Sequence, residues 1–206
     1  MTKKQRAKII QDELEKLYPE VPIPLDHKDA YTLMVAVALS AQTTDKKVNE
    51  ITPALFAVAD TPEKMANLSF EEIRELIKQI GLTNSKAKNL KKMAEVLVEK
   101  HNSVVPQTYE ELEELAGVGH KTASVVMSQA FGFPAFPVDT HIHRLMTQWK
   151  LTDGKNVVQT EKDAKSIFPE ETWNKLHLQI IFYGREFSPA RGNQDKDFLT
   201  KMLFEK

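Results

Sequence analysis

The stretch that decides the fold is LAGVGHKTASVV, residues 115–126. Two glycines, one residue apart, precede His120, Lys121 and Thr122, and an apolar helical run follows. GVGHKT has the look of a phosphate-binding P-loop, but that motif needs glycine directly before the lysine and a strand in front. Here His120 precedes Lys121, and the segment before it, YEELEEL from Tyr109 to Leu115, has a helical pattern. The P-loop reading fails on spacing and on context. A hairpin between two helices fits: the first ends near Leu115-Ala116, and the second starts near His120 and runs through TASVVMSQAF. Gly117 and Gly119 supply positive φ or close backbone approach. Such a turn aims backbone N–H groups and a helix N-terminus outward, which suits one phosphate of a DNA backbone. A ligand-free turn between two helices carries the same glycines.

Lys121 falls in the first turn of the second helix. The helix dipole opposes a cation there, and partial burial would favour the free amine further. A free amine near neutral pH is a nucleophile; a solvated lysine is the alternative. Eighteen residues on comes FPVDTHIHRL, in which Asp139 precedes a helix beginning at Thr140. Capping that helix is its ordinary function. Folded toward Lys121, its carboxylate would orient the amine and stabilise a developing cation. His141 and His143 raise a metal site, but their i, i+2 spacing does not share a helical face, so no metal is expected.

Outward from this core the pattern is helical nearly throughout. Ile9, Ile10, Leu14 and Leu17 recur at helical spacing over residues 3–17, which end at Tyr18-Pro19. Residues 29–40 form an apolar, alanine-rich run that predicts a buried helix. Start signals follow at Thr44 or Asp45, at Thr61 with Pro62, and as capping-box spacings Ser69/Glu72 and Thr108/Glu111. Ser85 is the expected cap of a long helix with Leu90, Met93, Ala94, Leu97 and Val98 on its apolar face. Lys86, Lys88, Lys91 and Lys92 on that helix read as a solvated charged face, as do the acids of YEELEEL. Residues 140–149, 159–168 and 171–184 are also helical in pattern, the last with Trp173, Leu176, His177, Ile180, Ile181 and Gly184 on one face. Val104–Pro106 and Phe136–Val138 are short, extended and proline-limited. Proline-bearing breaks at 19–24 and 134–137 are the candidate domain boundaries.

The chain has 206 residues, with 41% hydrophobic and 28% charged, an ordinary globular composition. No cysteine is present, which removes disulfides, thiolate metal sites and cysteine nucleophiles. Leu33–Ala41, the longest apolar run, is about half of the ~20 residues a membrane helix needs. The basic N-terminus leads into DELEKL without the apolar segment of a signal peptide. A soluble intracellular protein is expected. The net charge of −1 gives no bulk sign of a nucleic-acid binder, so any such surface depends on how charge is distributed.

LAGVGHKTA, followed by VDTHI, resembles the helix-hairpin-helix DNA glycosylases, and within them the endonuclease III family. LSAQTTDKKVN (39–49), GLTNSKAKNL (81–90), HNSVVP (101–106) and GKNV (154–157) match the family's landmarks in order, over nearly the whole chain. The resemblance implies an all-α fold of two domains. A six-helix barrel over about 24–136 carries the hairpin (about 109–131); residues 1–23 and 137–206 form a discontinuous helical domain with the aspartate. It implies Lys121 and Asp139 facing each other across a cleft. It also implies a DNA N-glycosylase with AP-lyase activity that flips an oxidised pyrimidine out of duplex DNA. Lys121 would be the Schiff-base nucleophile and Asp139 the electrostatic and activating group. Gln42 and Leu82 would fill the gap left by the flipped base, and Gly117, Val118, Gly119, His120, Thr122, His141 and Arg191 would contact DNA. Double-stranded DNA with damaged bases or abasic sites is the implied partner, for a monomer in the bacterial cytoplasm, associated with the nucleoid.

The sequence departs from the family at its end. Most members hold an iron–sulfur cluster on four cysteines spaced C-x6-C-x2-C-x5-C. Anchored on Gly184-Arg185 without gaps, those positions are Ser188, Asp195, Phe198 and Phe204. No [4Fe-4S] cluster and no other cofactor is therefore expected. Phe198, Leu199, Met202, Leu203 and Phe204 predict a short helix packing by apolar contact. Ala116 and His120 stand where proline and arginine are usual. Other readings are a glycosylase for mismatched thymine or uracil, one for adenine, and a hairpin module that binds DNA without catalysis.

Overall fold

The computed structural model of the chain describes residues 1–190 and 196–204. All regular structure among them is helical. The chain forms two compact units, one of Ile23–Gly132 and one joining Met1–Pro22 to Phe133–Lys206.

Helix α1 (Lys3–Leu17) belongs to the discontinuous unit. Thr2 starts it with a full capping box to Gln5, and Ala7, Ile10 and Leu14 are its buried positions. The continuous unit then holds seven helices: α2 (Ala30–Leu39), α3 (Asp45–Val58), α4 (Pro62–Asn67), α5 (Phe70–Leu76), α6 (Thr83–His101), α7 (Tyr109–Glu113) and α8 (His120–Gln129). Because α2 is apolar all round, it is buried nearly all round, from Tyr31 to Leu39. Asp29 caps it, and Thr32 returns a bond to the Asp29 N–H. Thr44, Thr61 and Ser69 cap α3, α4 and α5, as their spacing predicts. At α7 the box is half made. Thr108 Oγ1 accepts from the Glu111 N–H at 3.3 Å, but it also donates to the Glu111 carboxylate at 2.7 Å, drawing that group to the hydroxyl.

Two expectations for α6 fail. Ser85 does not cap it: the helix starts at Thr83 from a left-handed Leu82, without any side-chain cap, so Ser85 lies inside the first turn. Leu90, Met93, Ala94 and Leu97 are buried, whereas Val98 lies at the margin of that face and is 37% exposed. The basic cluster also divides. Lys88 and Lys92 are exposed, but Lys86 is buried and Lys91 half-buried, each turned onto backbone carbonyls of a neighbouring helix end. A cation at a helix C-terminus satisfies orphan carbonyls and the dipole together. Helix α8 stops at Gln129, short of Phe131.

The discontinuous unit continues with α9 (Thr140–Gln148), α10 (Val157–Ile167), a 3₁₀ turn at Glu170–Thr172, α11 (Trp173–Glu186) and α12 (Phe198–Phe204). Its core includes Ile10, Leu14, Phe136, Trp149, Ile180 and Tyr183, all fully buried. The segments at Val104–Pro106 and Phe136–Val138 join no sheet.

Helix α12 is fastened by more than apolar contact. Leu199 and Leu203 are buried, but Met202 is 46% and Phe204 40% exposed, because a seven-residue helix offers one narrow inward stripe. Asp197, only 2% exposed, supplies the rest. It accepts from the Tyr183 hydroxyl at 2.7 Å, Gln148 Nε2 at 2.8 Å, and the Thr200 hydroxyl and N–H at 3.0 and 3.1 Å. Tyr183 in turn accepts from the Leu199 N–H at 3.0 Å. Burial, and then the bond to Asp197, push the Tyr183 phenol well above its ordinary range, so it stays a donor. Phe187 stacks on Tyr183, and Phe198 meets both rings edge-on.

Candidate functional site

The hairpin joins α7 to α8 through Glu114–Gly119. Gly117 has φ +81, and a Cβ there would lie 3.0 Å from Cβ and Nδ2 of Asn89 on α6. The positive φ favours glycine, and a larger residue would also have to displace Asn89. Gly119 is extended (φ −97, ψ 178), and a Cβ on it would meet nothing within 4 Å. What Gly119 contributes is the absence of a capping side chain at the start of α8. Val118 turns inward and is 5% exposed. The His120 ring lies against the first helix, 2.8 Å from the Glu113 carboxylate and stacked on Tyr109. Thr122 is half-buried.

Lys121 is exposed, and its ammonium makes no hydrogen bond or ion pair among the described residues. The partial burial that would help activate it is therefore absent. Lys121 stands in the first turn of α8.

In the other unit, Asp139 caps α9. Its Oδ1 accepts from the Ile142 N–H at 2.8 Å, while Oδ2 has no hydrogen-bond partner among the described residues. One oxygen is committed to the helix and one is left over. His141 packs against Gly184 of α11, where a Cβ would lie 3.3 Å from its Cβ and Nδ1. His143 instead meets the Thr160 hydroxyl at 2.8 Å. The two histidines diverge, as their spacing predicts, and no group of three metal-ligating side chains occurs among the described residues.

Gln42 and Leu82 share a feature invisible in their residue types. Both adopt left-handed backbone, at φ 55 and 59, and both side chains are exposed, Leu82 by 55%. For a residue with a Cβ this conformation costs roughly 1–2 kcal/mol. Leu82 borders an open groove that also includes Arg74, Lys78, Thr83, Asn84 and Ser85. Arg191 lies outside the described residues.

The residue that sequence reasoning misses is Lys86. Its ammonium donates to the carbonyls of Leu39 and Ala41 at 2.9 and 2.6 Å and approaches the Thr43 hydroxyl at 3.0 Å. Burial holds this lysine below its ordinary range. The available signal is its place on α6: it lies one turn from Leu82 and one short of Leu90, at the edge of the apolar face.

A family model described as "HhH-GPD superfamily base excision DNA repair protein" matches residues 35–170. The chain is 42% identical over 191 residues to endonuclease III of Haemophilus influenzae, covering 93% of this chain and 90% of the relative. Its fold superposes with a TM-score of 0.93 on a non-covalent endonuclease III–DNA complex, at 38% identity, covering 98% of this chain and 95% of the other. Against a trapped endonuclease III–DNA covalent intermediate the TM-score is 0.90 at 39% identity, covering 94% and 92%. With the hairpin and the all-helical fold in place, these likenesses settle the kinship: the chain belongs to the HhH-GPD superfamily of base excision DNA repair proteins and, within it, to the endonuclease III family.

Proposed function

We infer that this chain is a base-excision DNA glycosylase with AP-lyase activity, acting on damaged bases in duplex DNA, with oxidised pyrimidines as its substrates. The observation that carries the reading is Lys121, exposed and without a partner among the described residues at the uncapped start of α8. It is supported by the kinship with an endonuclease III trapped covalently on DNA.

The sugar C1′ is out of reach inside the stack, so the damaged nucleotide leaves the helix first. Leu82, an apolar side chain held out from the surface, and Gln42 take the space it leaves. The N–H groups of Gly117 and Gly119 take a backbone phosphate, while that of Val118 donates to the Leu115 carbonyl at 3.1 Å. Lys121, as the free amine, attacks C1′. The C1′–N bond breaks and its electron pair leaves with the base, which takes up a proton. Asp139 stabilises the positive charge that develops on the sugar, through the oxygen its helix does not use. Sugar ring opening gives a protonated imine on Lys121. The imine acidifies the C2′ proton, and loss of that proton expels the 3′ phosphate. Hydrolysis frees the lysine.

Borohydride reduces such an imine to a stable amine. Duplex DNA with an abasic site or thymine glycol should therefore yield a covalent protein–DNA adduct, absent in Lys121→Ala. An adduct undiminished in that variant sinks the assignment. A panel of single-lesion duplexes measures the base preference.

We also propose that the protein works without an iron–sulfur cluster, as a monomer in the bacterial cytoplasm. A cluster needs four thiolates, and this chain has no cysteine. Of the four corresponding positions, Ser188 is buried and accepts from Arg144 at 3.0 Å. Phe198 packs on Tyr183 and Phe187, and the Phe204 ring receives the Lys150 ammonium at 4.8 Å from its centroid. Asp195 lies outside the described residues. These residues do not fit a cluster. A colourless preparation free of stoichiometric iron is expected. No helix among the described residues is long and apolar enough to cross a membrane.

A further inference from the structure

Lys86 joins the two exposed left-handed residues. Its backbone N–H closes the first turn of α6 on the Leu82 carbonyl at 3.0 Å. Its side chain reaches the other way, to Leu39, Ala41 and Thr43. Leu39 ends α2, and Ala41 and Thr43 stand on either side of Gln42. An ammonium has three protons, and three acceptors surround it. One residue thus grips the turn bearing Gln42 and the helix start bearing Leu82. One turn further along α6, Asn89 packs on Gly117, where an added Cβ would lie 3.0 Å from it. Lys86, Asn89, Leu39 and Gly117 line one small shared cavity. A solvated lysine would be exposed; this one is 7% exposed, with its amino group turned onto neutral oxygens.

We propose that Lys86 is a positioning residue that locks the Gln42 turn to Leu82, so that both side chains enter the DNA helix as one rigid pair, registered on the hairpin through Asn89. The proposal rests on the wedge reading of Gln42 and Leu82 given above. Lys86 touches no DNA, and its effect is on extrusion of the nucleotide rather than on the chemistry at C1′. A pair free to move relative to each other fills the vacated space for less of the time, and a misplacement near 1 Å in a supporting element is enough to slow a reaction on the order of 100-fold.

The test is single-turnover excision of thymine glycol by the full chain, from a fully paired duplex and from a bubble in which the lesion and its neighbours are unpaired. Lys86→Met keeps the length of the side chain and removes its donors. We expect a loss of about tenfold or more on the paired duplex and less than about threefold on the bubble. In a Leu82→Ala background the same substitution should add little. Equal losses on both substrates, no loss on the duplex, or full additivity with Leu82→Ala overturns the proposal. If Leu82→Ala and Gln42→Ala leave duplex excision unchanged, the wedge reading falls and takes the proposal with it. If they lower it and Lys86→Met does not, the Lys86 inference alone fails. Should Lys86→Met not fold, Thr43→Val decides: it removes one acceptor from a surface turn, and it must lower duplex excision more than bubble excision.

Discussion

Helix α9 begins on Asp139, whose carboxylate takes up the N–H of Ile142; α8 begins on Gly119, which offers its own helix no side chain at all. The contrast extends through the molecule. Thr2, Asp29, Thr44, Thr61, Ser69, Thr108 and Asn156 each cap the helix they precede, whereas α6 starts on a left-handed leucine without a side-chain cap. A side-chain cap contributes about 1 kcal/mol. Helix α11 also starts without a side-chain cap, but it continues directly from the Glu170–Thr172 turn. The bare starts of α6 and α8 give up stability that the capped starts keep, and both carry residues proposed to meet DNA. On the reading proposed above, α6 and α8 concede local stability where a foreign acceptor or base is received.

The hardest test of this contrast is Lys121→Ala, which should abolish the borohydride adduct while leaving the melting temperature within about 2 °C, since an exposed, unpaired side chain supports nothing. Asp139→Asn follows. Asparagine caps a helix about as well as aspartate, so the fold should hold, while the lost charge lowers single-turnover excision by about 100-fold. A melting temperature that falls in parallel with activity would show that the carboxylate serves only its helix. Gly117→Ala forces a side chain into φ +81 and against Asn89; a destabilisation of about 1–3 kcal/mol by denaturant titration is expected, with weaker DNA binding.

Gly119→Asp sharpens the comparison most directly, because it gives α8 the kind of cap that α9 has. Space is available for it. Stability should rise by a few tenths of a kcal/mol, while affinity for duplex DNA falls about tenfold as a carboxylate meets phosphate. Tighter binding would refute the phosphate reading of the turn. The smallest effect belongs to a capped start. Hydrogen bonds from Lys28 and then Lys64 hold the Asp60 carboxyl well below the usual carboxylate range. A carboxylate depressed in the folded state stabilises above its unfolded pKa, about 3.9, and that contribution is lost as pH falls toward the folded value. Asp60→Asn should flatten the loss of stability slightly below about pH 4, measured by thermal melts across pH.

What the sequence makes legible is local. Thr44, Thr61 and Ser69 announce their helices because a cap acts within three residues, and the buried α2 is written in an unbroken apolar run. The hairpin is legible for the same reason, with its glycines in one short stretch. Ser85 misleads because α6 begins two residues before it, from a left-handed Leu82 that no residue type announces. Lys86 and Lys91 mislead for a related reason: a lysine that caps another helix's carbonyls and one that points to solvent have the same letter and the same neighbours. Asp197 is silent too, since its four donors come from Gln148, Tyr183 and Thr200.

That aspartate has a consequence for how the end of the chain is made. Its donors are synthesised with the chain, so the last helix can dock as soon as Gln148 and Tyr183 are in place. On the cluster-free reading proposed above, assembly of the tail is a step of folding itself, paced by the polypeptide, with no call on a cellular supply of metal or sulfur.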